Sequence, residues 1–123
     1  MIPFEVRLSN FLGAVAFAAD EKQQRAVWVD GVLGLTSIIS IGEFYCQFFD
    51  DNDMDDFIAN ELSGSPLSAP QKTAVIEFRA ALNRIEALQS YQEDDDRQTL
   101  ETPEWRSLVQ CAKRTLSVFG HEA

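Results

Sequence analysis

Phe4, Leu8, Phe11, Leu12 and Val15 recur at threes and fours and make one apolar stripe, which predicts a first helix ending near Asp20. Residues 21 to 35 are less clear. Ala26-Val27-Trp28-Val29 and Val32-Leu33-Gly34-Leu35 flank Asp30-Gly31, a pair that favours a tight hairpin turn. Trp28, Val32 and Leu35 also share a helical face, and the run does not alternate in polarity, so helix is the preferred reading and a small hairpin around Asp30-Gly31 the alternative.

Ser40 and Glu43 have the spacing of a capping box, in which hydroxyl and carboxylate each satisfy an orphan amide at a helix start. Ile41, Phe44, Tyr45 and Phe48 follow as a buried stripe, with Glu43, Gln47 and Asp50 opposite and Phe49 one step off it. Asp53 is positioned to cap a short helix with Met54, Phe57, Ile58 and Leu62 inward, and Asp55 and Asp56 in its first turn suit the helix dipole. After the turn-rich GSPLSAP connector, Ser68 and Gln71 form a second capping-box pattern. The strongest periodicity follows: Val75, Phe78, Leu82, Ile85 and Leu88, running on to Tyr91. Thr102-Pro103 then opens a last helix with Trp105, Leu108, Val109, Ala112, Leu116 and Phe119 inward and Gly120 as its stop. The expectation is an all-α single domain over residues 1–123, a bundle of about five helices.

The size agrees with one domain: 123 residues, 46% of them hydrophobic, can close a single core. Charge changes the picture more. The formal net charge is −10, and from Ala26 to Gln71 the chain has no lysine or arginine while carrying Asp30, Glu43, Asp50, Asp51, Asp53, Asp55, Asp56 and Glu61. Such a field repels nucleic acid and anionic membranes and attracts basic proteins. The apolar run Phe11 to Ala19 is too short to span a bilayer, which needs roughly 20 residues. Glu5 offsets Arg7 ahead of it, so a signal peptide is not expected either, and the location expected is cytoplasmic. Cys46 and Cys111 both lie in apolar patterns and read as buried thiols.

Catalytic chemistry finds little support. The one histidine, His121, is three residues from the end, and no nucleophile-elbow or phosphate-loop glycine pattern occurs. Two distant cysteines and a terminal histidine do not make a zinc site. Asp50 to Glu61 has the length of a helix-flanked calcium loop, but Met54 stands at its fifth position and Asp55 at its sixth, where glycine is needed. No catalytic residue, metal or cofactor is expected.

What remains is a binding reading. Five aspartates between Asp50 and Asp56 exceed what capping one helix needs, and they repel one another within a Debye length of about 8 Å. Phe49 beside them has the position of a half-exposed apolar anchor. The expected partner-binding set is Glu43, Phe49, Asp50, Asp51, Asp53, Asp55, Asp56 and Glu61. The expected function is an acidic inhibitor of immunity or antitoxin type, covering the positive surface of a basic protein such as a nuclease toxin. Three other readings stand beside it. One is a helical interaction module that self-associates through the Val75 to Leu88 stripe, a second is a carboxylate-dependent enzyme, and the third gives the aspartates no role beyond capping and solubility. Asp94 to Asp96 with Glu93 form a second acidic run, read as a solvated loop.

Overall fold

The computed structural model describes residues 3–32, 43–44, 46–51, 53–86 and 100–120, apart from the side chains of residues 46, 50, 51 and 86. Among them the elements are all helical. They are α1 (Phe4–Ala19), α2 (Glu21–Trp28), a π-helical turn π1 (Cys46–Asp51), α3 (Met54–Asp56), a second π-helical turn π2 (Phe57–Glu61), α4 (Ala69–Glu86) and α5 (Pro103–Val118).

Local signals account for most of the boundaries. Asp20 ends α1 and caps α2, accepting from the Gln23 amide at 3.1 Å. Ser68 and Gln71 close a reciprocal capping box, Gln71 N to Ser68 Oγ at 3.3 Å and Ser68 N to Gln71 Oε1 at 2.9 Å. Thr102 caps α5 at 3.2 Å from the Trp105 amide, with Pro103 in the first turn. Gly31 has φ +71°, and the Val32 amide returns to the Ala26 carbonyl at 2.9 Å, so Asp30-Gly31 serves as the exit from α2. Ala26 to Trp28, the first arm of the alternative hairpin, are helical, while Leu33 to Leu35 lie outside the described residues, as do Ser40, Ile41, Tyr45, Leu88, Tyr91 and Glu93 to Asp96.

The region from Cys46 to Glu61 departs from the 3.6-residue period. Asp53 does not cap α3. It sits in the left-handed region (φ 48°, ψ 51°) and its side chain makes no cap hydrogen bond. The flanking turns are π-helical, with the Leu62 amide reaching back five residues to the Phe57 carbonyl at 3.1 Å. The wider turn carries Phe57 and Leu62 onto the buried face and leaves Ile58 half-buried.

α1 and α5 pack together, and α5 packs along α4. Phe11, Phe48 and Phe78 fill one part of the core with centroids 5.7 to 6.3 Å apart, in the range of favourable aromatic pairs. A second cluster joins Phe17, Trp28, Phe44 and Trp105. Val75, Phe78, Leu82 and Ile85 are all buried in this core, so the described part of the strongest stripe is covered within the chain.

Candidate functional site

The acidic segment is held to the bundle by two arginines from outside the cation-free stretch. Arg7, on the buried stripe of α1 with Phe11, Val15 and Ala18, is only 9% exposed. Its Nη1 donates to Asp56 Oδ2 at 3.1 Å and to Glu61 Oε2, and its Nη2 donates to the Asp53 carbonyl at 2.8 Å. The guanidinium lies 5.3 Å from the Phe57 ring centroid, close enough for a cation–π contact. Arg79 on α4 repeats the arrangement in a wetter setting. Its Nε donates to Asp55 Oδ1 at 2.9 Å and its Nη2 to Oδ2 at 3.4 Å, and its guanidinium lies 5.5 Å from the Phe49 centroid.

The left-handed Asp53 makes the first grip possible, since its carbonyl is one of the three acceptors of Arg7. The π-turns then bring Asp56 and Glu61, five residues apart, to the same nitrogen. Both arginines are planar cations held by a carboxylate on one side and an aromatic face on the other, a combination lysine matches poorly.

The expected site residues therefore divide. Asp55, Asp56 and Glu61 are ion-paired within the chain, although all three keep part of their surface in water. Phe49 is half-buried, set edge-on to Phe48 at 4.9 Å and in contact with Arg79. Glu43 accepts from Gln47 at 3.3 Å one helical turn along. The Asp53 side chain is exposed. The backbone of Asp50 and Asp51 lies in π1, and their side chains fall outside the described residues. Arg7 and Arg79 thus neutralise three of the seven carboxylates of the expected set from within the chain.

Arg7 was legible in part, because it falls four residues before Phe11 on a stripe that is otherwise apolar. Another buried polar group went unread. Gln24 on α2 is 1% exposed; its Nε2 donates to the Phe17 and Ala18 carbonyls at 2.8 and 3.0 Å, and its Oε1 accepts from Trp105 Nε1 at 3.0 Å. It ties the end of α1 to the start of α5. Lys113 Nζ stands 3.9 Å from Glu21, a loose exposed pair linking α5 to α2.

Cys111 is a buried free thiol, 5% exposed, and burial pushes its pKa up, with Arg114 pulling weakly the other way. A thiol held in its protonated form is a poor nucleophile, as the expectation of an inert core cysteine requires. Among the described residues no group of three or more histidine, cysteine or acidic side chains could hold a metal ion, and no helix is long and apolar enough to cross a membrane. Compared with known proteins, the chain matches no protein-family model, no curated protein and no solved structure.

Proposed function

We propose that this protein binds a basic protein through the acidic segment from Glu43 to Glu61 and inhibits it, in the manner of an immunity protein or antitoxin that covers a positively charged, nuclease-type surface. The observation that carries the reading is the double arginine grip. Twice within one short segment, a carboxylate and an aromatic ring together hold a guanidinium, Asp56 and Glu61 with Phe57 around Arg7 and Asp55 with Phe49 around Arg79. A segment with this chemistry is suited to arginines presented by another molecule.

The charge balance supports the same reading. Among the described residues, two arginines face Asp55, Asp56 and Glu61, Asp53 between them is exposed, and the chain as a whole carries a net charge of −10. Opposite fields raise association rates toward 10⁸ to 10⁹ M⁻¹s⁻¹ at low salt, roughly 10- to 10³-fold over neutral encounter, and an inhibitor gains from arriving before its target acts.

The test replaces Asp50, Asp51 and Asp53 together with Asn and leaves the internally paired acids in place. Against the basic protein retained from the source lysate at low salt, the triple variant should associate about tenfold more slowly, with a flatter dependence on ionic strength. An unchanged rate and salt slope would dismiss the acidic segment as the binding surface.

A further inference from the structure

A groove of about 420 Å³ runs between α4 and α5 and is lined by no residue of the acidic segment. Ala69, Pro70, Thr73, Ala74 and Glu77 form the α4 wall, and Cys111, Arg114, Thr115 and Val118 the α5 wall and floor. The N-terminal half of α4 therefore meets the C-terminal half of α5, so the helices run antiparallel. The lining is mostly apolar or small, and a large apolar side chain on its rim, Val118, is 40% exposed. One wall carries a lone acid, Glu77, and the other a lone base, Arg114, both exposed and neither ion-paired to a described residue.

We infer that this groove is a self-association surface whose occupant is a second copy of the chain, related by a two-fold axis that runs along the groove. The groove is complementary in charge to its own symmetry mate. A two-fold lying in the interface along the groove exchanges its walls, so the α4 wall of one copy lies over the α5 wall of the other. Glu77 of each copy then meets Arg114 of its mate, and the contact forms twice. The same operation lays Val118 of each copy onto the apolar lining opposite, removing it from water. A foreign helix would need its own acid and base at matching positions, whereas a second copy has them by construction.

Each copy carries a net charge of −10, so long-range repulsion opposes the dimer and added salt should strengthen it by screening. Binding of a basic partner to the acidic segment has the opposite salt dependence, which lets the two ideas fail independently.

The experiment is sedimentation equilibrium of the full chain at low and high salt, with Glu77→Arg, Arg114→Glu and the double variant alongside, and circular dichroism to confirm that each is folded. The expected result is a wild-type dimer that tightens with salt, single variants weakened on the order of tenfold because two attractive pairs become repulsive, and a double variant restored to near wild type. Val118→Glu, at an exposed position, should weaken the dimer without unfolding the chain. A wild type that stays monomeric at both salts overturns the inference, and so does a dimer indifferent to the single variants or one that the double variant fails to restore.

Discussion

Two buried polar side chains, Arg7 and Gln24, decide more about this molecule than their residue types suggest. Arg7 gathers two carboxylates and a backbone carbonyl. Replacing it with Met keeps much of its stem but leaves Asp56 and Glu61 crowded without a counter-charge. The cost should be about 2 kcal/mol, below the ~3–5 kcal/mol of a fully buried broken pair because both acids remain partly wet. Chemical denaturation would measure it, and adding Asp56→Asn with Glu61→Gln should recover part of the loss; an additive triple variant would deny the grip. Gln24→Leu leaves the Trp105 indole N–H and two carbonyls near the end of α1 without their buried partner. A loss of about 2–4 kcal/mol is expected, since an unmet buried donor or acceptor costs ~1–3 kcal/mol each and water can reach some of them after relaxation. Urea unfolding midpoints read this directly, and a loss under 1 kcal/mol would mean the network contributes little.

At the scale of elements, periodicity and caps read correctly wherever the backbone keeps 3.6 residues per turn. α4 and α5 begin after Ser68 and Thr102 as the capping patterns require, and Val75, Phe78, Leu82, Ile85, Trp105, Leu108, Val109, Ala112 and Leu116 are buried as the spacing selects, with Ala81 and Thr115 buried besides and Phe119 only half-buried. The segment from Cys46 to Glu61 defeats the same method because its period is wider and because Asp53 adopts a conformation that costs an L-residue roughly 1 kcal/mol. Aspartate is among the few residues to tolerate it, so nothing in the local sequence announces it. Asp53→Gly relieves the strain and removes one member of a crowded acidic run while keeping the carbonyl that Arg7 uses. A gain of about 0.5 kcal/mol in unfolding free energy should follow, the extra backbone entropy of glycine offsetting part of the relief. A destabilised variant would show that the carboxylate holds the turn in some way its exposed position does not reveal.

For the whole molecule the governing quantity is net charge. At −10 over 123 residues, self-repulsion should weaken the fold at low ionic strength, and moderate sodium chloride should raise the thermal midpoint by screening it. A midpoint that instead falls with salt would mean that the attractive Arg7 and Arg79 grips outweigh the repulsion. The sequence by itself determined that this is a helical chain, where α4 and α5 begin, most of the apolar residues those two helices bury, and that the acids are concentrated between Glu43 and Glu61. Those properties depend on spacing and side-chain type within a turn or two. Which cations those acids meet was decided only by tertiary structure, because Arg7 and Arg79 come from 46 to 54 residues before the segment and 24 residues after it. The groove with Glu77 on one wall and Arg114 on the other has the same origin, since it exists only once two helices distant in sequence lie side by side.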